Sequence, residues 1–311
     1  MTFLNRVFRY CPGNRPAVEL EADQRHVELI LKELNLQNES KGVDVPSVKR
    51  SADDVIAEQS LPVMPLEDVR RYRSVVMRAA YLSLDRPDIA ESVKQCSRRM
   101  QNPTVADWAL AKRLGRYLKN NPCYVLKFVA QPMPSFFEIQ VDSDFAGCPI
   151  TRKSTSGSVA RFGDHTLQTQ SALQSTISLS SGEAEYYAML KGAANGLKLV
   201  AIAKDFGLDK EILVATREPP VEIGSDSTAA LAFAQRKGLG RQKHVMTRFL
   251  WLQDAIRAKK VRVRKVHTKL NMADPLTKST SRQTIEKHMK AMGYVKRESW
   301  SKLHRTLKSE R

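Results

Sequence analysis

Cysteine is sparse: Cys11, Cys96, Cys123 and Cys148 lie far apart, with no Cys-x-x-Cys pair. That spacing argues against both a zinc site and a disulfide framework, and it fits a reducing compartment. No apolar run approaches the length of a bilayer span, and Met1-Thr2-Phe3-Leu4-Asn5-Arg6 lacks a signal-peptide core. The expectation is a soluble intracellular protein, cytoplasmic or nuclear, with no membrane partner. Gly238-Leu239-Gly240 follows no strand pattern and lacks a third glycine, so there is no dinucleotide or phosphate-cradling loop and no small organic cofactor is expected. No internal repeat is visible. Acid is the scarce charge: 33 Asp plus Glu stand against 51 Lys plus Arg, a net charge of +18 over 311 residues. The resulting pI of about 9.9 predicts attraction to a polyanion such as nucleic acid. The length and the 42% hydrophobic share suit two globular domains.

Val27, Ile30, Leu31 and Leu34 recur at helical spacing and predict a helix over about Asp23 to Leu36. Residues 37–66, rich in Ser, Asp, Asn, Lys and Pro without periodicity, read as a flexible linker. Pro87 opens a segment with Ile89, Val93, Cys96 and Met100 on one face. Pro103-Thr104 precedes another with Trp108, Leu114 and Leu118, so residues 67–134 read as a helical region. From Ser135 the period becomes two. Phe137, Ile139 and Val141 alternate with polar residues, and Ser158 to Phe162 turns through Gly163-Asp164 into Thr166 to Gln170 as a hairpin. A long helix over Ser181 to Phe206, a strand at Val221 to Ser225 and a helix at Ser227 to Gln235 follow. A further helix carries Val245, Phe249, Leu252 and Ile256 on one face, and Val261 to Arg264 reads as a charged edge strand. The order over 135–280 is βββαβα(α)βα, an α/β arrangement. Residues 281–311, basic and weakly periodic, read as an appended tail.

Carboxylates stand at the ends of these elements. Asp142 closes the first strand of the second half. In Ser180-Ser181-Gly182-Glu183-Ala184-Glu185 two glutamates compete, and helical positions two apart point about 200° away from each other. Ser180 and Glu183 have capping-box spacing, which gives Glu183 a structural task and leaves Glu185 as the metal ligand. Asp226 and Asp274 sit at a strand end and before a proline, where the plain alternative is a helix cap. As a set, Asp142, Glu185, Asp226 and Asp274 fit a site for two Mg²⁺ or Mn²⁺ ions, which need several anionic oxygens. Such acids repel one another until the cations arrive, so the site should gain order and stability on magnesium. His267 precedes Asp274 and is a candidate proton shuttle, against the plain reading of a surface histidine. His244 and Arg248 share a predicted helix face, where phosphate contact competes with an ordinary solvated basic surface.

The chain resembles the C-terminal part of the Pol polyprotein of copia-type LTR retrotransposons: the end of reverse transcriptase, a connection segment and a ribonuclease H domain. The residues that carry the likeness begin with Asp23-Gln24-Arg25-His26-Val27, Tyr72-Arg73-Ser74-Val75-Val76 and Arg86-Pro87-Asp88-Ile89-Ala90. They continue with Asp142-Ser143-Asp144-Phe145-Ala146-Gly147, Arg152-Lys153-Ser154-Thr155-Ser156-Gly157 and Leu179-Ser180-Ser181-Gly182-Glu183-Ala184-Glu185-Tyr186. Ser225-Asp226-Ser227, Lys243-His244 and Ala273-Asp274-Pro275-Leu276-Thr277-Lys278 complete the set. The resemblance implies a ribonuclease H-like fold with a mixed five-stranded sheet at 135–280. A mostly helical connection at 67–134 and a reverse transcriptase remnant at 1–36 would precede it. It also implies catalysis by Asp142, Glu185, Asp226 and Asp274 on an RNA–DNA hybrid. Arg152, Lys153, Ser154, Lys243, His244 and Arg248 are the expected nucleic-acid contacts, and a reverse transcriptase polymerase domain is an expected partner. No Tyr-x-Asp-Asp polymerase motif occurs, and Cys148, Gly182 and Ser227 depart from the residues usual in the family. The alternative to a nuclease is an inactive nucleic-acid-binding remnant of the same polyprotein.

Overall fold

The computed structural model describes residues 1–36, 40–208, 219–240 and 243–300, so residues 37–39 of the expected linker and 301–311 of the expected tail lie outside it. The chain divides into two units, residues 1–130 with 278–311, and residues 131–277.

The first unit opens with three antiparallel strands, β1 (Thr2–Phe3), β2 (Arg6–Cys11) and β3 (Ala17–Glu21). Asp23 caps α1 (Gln24–Glu33) by accepting from the Arg25 backbone N–H. The helices α2 (Ala52–Ala57), α3 (Leu66–Leu82), α4 (Ala90–Ser97) and α5 (Val105–Asn120) lead to β4 (Cys123–Val129), which pairs antiparallel with β3. Ile30, Leu34, Tyr72, Val76, Leu114 and Leu118 form one buried cluster between α1, α3 and α5. Arg86, fully buried, explains its Arg-Pro-Asp setting. Its guanidinium grips both Asp88 oxygens at 2.9 and 2.7 Å and donates to the Asn121 and Pro122 carbonyls, while Tyr117 donates to Asp88 at 2.8 Å. A buried charge of this kind persists because its partners are complete.

One expectation changes here. The segment read as a linker is fastened along its described length. Val43 N–H donates to Arg116 O at 3.4 Å, the Ser47 hydroxyl to Glu91 at 2.7 Å and Ser92 to Pro46 O at 3.2 Å, and α2 follows. Its polar side chains are partners for the helices, which composition cannot distinguish from solvation. Residues 67–134 are mostly helical as expected, and β4 at their end joins a sheet whose strands β1, β2 and β3 come from residues 1–36. Its strand β3 buries Glu19 and Glu21, so the apolar alternation that signals a strand is broken there.

The second unit contains β5 (Phe137–Ser143), β6 (Thr155–Phe162), β7 (His165–Leu173), α6 (Ser181–Asp205), β8 (Val221–Ser225), α7 (Thr228–Gln235), α8 (Trp251–Arg257) and β9 (Val261–Lys265). The sheet order is β7-β6-β5-β8-β9. The first three strands are antiparallel, and β5, β8 and β9 run parallel. This is the ribonuclease H-like mixed sheet. Gly163, at φ +60°, takes the first position of the two-residue β6–β7 turn, a conformation that favours glycine. Helix α6 lies close on the sheet. A Cβ on Gly192 would meet Val141 Cγ1 at 2.7 Å, and one on Gly196 would meet Val221 Cγ1 at 2.5 Å. Edge strand β9 is charged as expected: Arg264 bridges Glu138 and Glu222 at 2.6 Å each, and Arg262 holds Glu222 at 2.7 Å. The helix expected around Val245 begins later, as a short 3-10 turn (Thr247–Leu250) leading into α8.

The chain then returns to the first unit. Ser281 caps α9 (Arg282–Ala291), and β10 (Tyr294–Arg297) pairs antiparallel with β4, completing the order β1-β2-β3-β4-β10. The expected tail therefore begins as packed structure. Its basic character serves the sheet: Arg297 reaches Glu19 at 2.6 Å, alongside Lys127 at 3.3 Å.

Candidate active site

The parallel pairing of β5 with β8 brings their C-terminal ends side by side, with Asp142 near the end of β5, two residues past its last partner on β8, and Asp226 just past β8. Glu185 projects from the start of α6. One ligand oxygen from each of Asp142, Glu185 and Asp226 lies within 4.8 Å of the others, and no other group of this kind occurs among the described residues. Asp142 and Glu185 are buried and Asp226 is half-buried. Ser143 N–H donates to Glu185 Oε1 at 3.0 Å, which ties the helix acid to the strand. Ser227, not Asp226, caps α7, accepting from Ala230 N–H at 3.2 Å.

Asp274 is not in that trio. It begins a 3-10 turn (Asp274–Leu276) anchored to the sheet from several directions. Asn271 donates to Val141 O at 2.8 Å, Met272 N–H to Gln140 at 2.9 Å and Ser171 to Leu276 O at 2.5 Å. Thr277 closes the turn, its hydroxyl 3.0 Å from Asp274 O and hydrogen-bonded to Asp142 Oδ2. His267 is exposed and caps the preceding turn, its Nδ1 accepting from Lys269 N–H at 3.2 Å, which leaves Nε2 to carry the proton.

Glu183 has the structural task expected, in a modified form. Its amide donates to Ser180 Oγ at 3.2 Å, but its carboxylate accepts from Leu179 N–H at 2.9 Å, one residue before the cap. Tyr187 OH at 2.7 Å and His244 Nε2 at 2.9 Å complete its partners. Burial pushes the Glu183 carboxyl upward, but the hydrogen bonds from Tyr187, His244 and Leu179 outweigh it and hold the group below the usual carboxylate range. His244 thus fastens a turn to the start of α6. Arg248 is exposed, with its guanidinium 4.9 Å from the Phe249 ring, and Lys243 is exposed. Arg152, at φ +54°, is exposed and Lys153 half-buried on the loop between β5 and β6. Ser154 is fully buried and accepts from Ala146 N–H at 3.0 Å, so it shapes this loop and has no surface to offer a phosphate.

Gln174 was not singled out by sequence. Its buried amide nitrogen donates to Ser156 at 2.9 Å, Ala184 O at 2.8 Å and Ser143 at 3.3 Å, and its oxygen accepts from Ser178. It joins β5, β6 and the first turn of α6 where the acids converge. A lone glutamine in a polar loop carries no pattern that would have marked it.

The gathered donors are all carboxylate oxygens, without thiolate or imidazole, which fits hard divalent cations such as Mg²⁺ or Mn²⁺. Acids this close and this buried need a compensating positive charge.

No family model matches the chain. It is similar to the retrovirus-related Pol polyprotein from transposon TNT 1-94 of Nicotiana tabacum, 27% identical over 274 residues, which is 85% of this chain and 19% of that protein. It is also similar to the Pol polyprotein from transposon RE2 of Arabidopsis thaliana, 27% identical over 231 residues, covering 74% of this chain and 15% of the polyprotein. The chain thus spans less than a fifth of either relative. Among solved structures, LC11-RNase H1, isolated from compost, covers 50% of this chain and 99% of its own length at 22% identity and a TM-score of 0.30. Among the described residues no helix is long and apolar enough to cross a membrane. Over 74–85% of its length the chain is therefore similar, at 27% identity, to retrovirus-related Pol polyproteins of plant transposons.

Proposed function

We propose that the chain cuts the RNA strand of RNA–DNA hybrids in a divalent-metal-dependent reaction, within the reverse-transcription machinery of a retrotransposon Pol. The observation that carries the reading is the convergence of Asp142, Glu185 and Asp226 within 4.8 Å at the ends of β5, α6 and β8. These three would hold two Mg²⁺ or Mn²⁺ ions, with Asp274 as the fourth acid from the adjoining turn. Bound there, the ions would supply an activated water and charge stabilisation at the leaving oxygen. Ser143 N–H fixes Glu185 on the strand side, and Thr277 does the same for Asp142. His267 Nε2, on an exposed turn, would carry a proton to or from the leaving group. Arg152, Lys153, Lys243 and Arg248 would meet phosphates, His244 and Ser154 holding the segments that present them, and contacts to the 2′-OH would select RNA. A polymerase domain supplied elsewhere in Pol would be the partner. A binding-only remnant is the second reading, favoured by the position of Asp274 outside the trio.

The test is cleavage of a labelled RNA–DNA hybrid by the purified chain with Mg²⁺, with EDTA, and with Asp142→Asn. Metal-dependent cutting of the RNA strand, lost in the variant by a factor of 10³ or more, is expected for a group on which electrostatic stabilisation depends. Hybrid binding without cutting in either Mg²⁺ or Mn²⁺ would refute the reading and leave the remnant.

A further inference from the structure

Thr277 is the place where the first acid and the turn of the fourth acid meet. Its side chain is 1% exposed, and its hydroxyl is shared between Asp142 Oδ2, on β5, and Asp274 O, 3.0 Å away. One hydroxyl carries one proton, and an ionised carboxylate is the stronger acceptor, so Asp142 is the favoured recipient. Thr277 can reach it because of Gly157, the register partner of Asp142 on β6. A Cβ there would lie 2.8 Å from Thr277 Cγ2 and 2.9 Å from Ala273 O. The turn is also held from outside by Ser171 on β7, at 2.5 Å from Leu276 O, and by Asn271 on the Val141 carbonyl. The backbone of the turn is therefore secured without the Thr277 hydroxyl. What that hydroxyl adds is the orientation of one carboxylate.

We infer that Thr277 is a positioning residue for divalent-cation binding: by donating to Asp142 Oδ2 it fixes which oxygen of that carboxylate faces the acid trio, and it couples this orientation to the Asp274 turn. The inference rests on the metal-dependent reading above. Outer groups that orient a metal-ligating carboxylate are worth about 10–100-fold in metal affinity.

The experiment compares the full chain with Thr277→Val, which keeps the shape and removes the hydroxyl, and Thr277→Ser, which keeps the hydroxyl. Mg²⁺ binding is read by calorimetric titration without nucleic acid, and the Mg²⁺ midpoint of hybrid cleavage is read separately. Thr277→Val is expected to weaken Mg²⁺ binding by about tenfold or more. Thr277→Ser should restore most of that loss. Circular dichroism of both variants must match the parent, and if Thr277→Val unfolds, the comparison of Thr277→Ser with a milder Thr277→Ala carries the test. Magnesium affinity unchanged in a folded Thr277→Val would overturn the inference while leaving the nuclease reading intact. Altered affinity in a chain whose parent binds Mg²⁺ but cuts nothing would do the reverse.

Discussion

Alanine at position 157 would place a methyl group 2.8 Å from Thr277 Cγ2, 2.9 Å from Ala273 O and 3.1 Å from Leu276 Cβ. Carbon atoms rest about 3.5–4.0 Å apart, so the 273–277 turn must withdraw from β6 by roughly half an ångström or more. A backbone carbonyl is among the obstacles, and rotating a side chain cannot relieve it. Overpacking of this kind costs about 1–3 kcal/mol. For a unit of this size that corresponds to a fall in Tm of roughly 3–10 °C. That turn carries Thr277, whose hydroxyl donates to Asp142, so Mg²⁺ binding should weaken along with stability. Thermal melts of Gly157→Ala with and without millimolar Mg²⁺ measure both: the parent should gain stability from the metal and the variant should gain less. Adding Thr277→Ser removes the Cγ2 obstacle and should recover part of the Tm, the Ala273 carbonyl accounting for the remainder. A Gly157→Ala protein with the parent's Tm and the parent's magnesium response would refute the packing argument and the coupling built on it.

Two further outcomes are expected. Glu183→Gln should lower stability by about 1–2 kcal/mol at neutral pH, since hydrogen bonds to a charged acceptor are lost or weakened. The Glu183 carboxyl is held low in the folded chain, so its contribution is present above the ordinary carboxylate range and fades as pH falls through the folded value. Denaturant titrations should therefore show the gap between parent and variant closing in acid, and a gap that widens would contradict the assignment. Gln174→Leu removes the side-chain donor to Ser156 Oγ and Ala184 O and the acceptor of the buried Ser178 hydroxyl. A loss of about 1–3 kcal/mol and a reduced magnesium-induced rise in Tm are expected, and a variant as stable as the parent would remove Gln174 from the support of the site.

The second unit was legible because its signals are local. Alternation at Phe137, Ile139 and Val141, the Gly163-Asp164 turn and the long helix from Ser181 each declare an element without reference to the rest of the chain. The choice between Glu183 and Glu185 needed only helix geometry, and Glu185 does lie beside Asp142 and Asp226 in space. What stayed hidden depends on distant partners. Strand β10 is four residues long and has meaning only against β4, and β3 buries two glutamates whose partners are Lys127, Arg297 and Cys123. Ser154 reads as part of a basic signature, yet its burial turns it into a support for the loop. Thr277 and Gln174 carry ordinary residue types at positions whose importance is created by the fold.

The pairing of β4 with β10 gives the chain an unusual order of assembly. During synthesis β4 emerges early, and one of its edges must wait for the whole second unit to be made before its partner strand follows. Until then the β4 edge is open to other strands, a condition that favours mispairing and aggregation. The second unit, by contrast, is continuous in sequence and can complete its own sheet first. The ribonuclease H-like unit is in this sense an insertion within the first unit's sheet, and anything that delays its folding prolongs the exposure of an edge to which it contributes no strand.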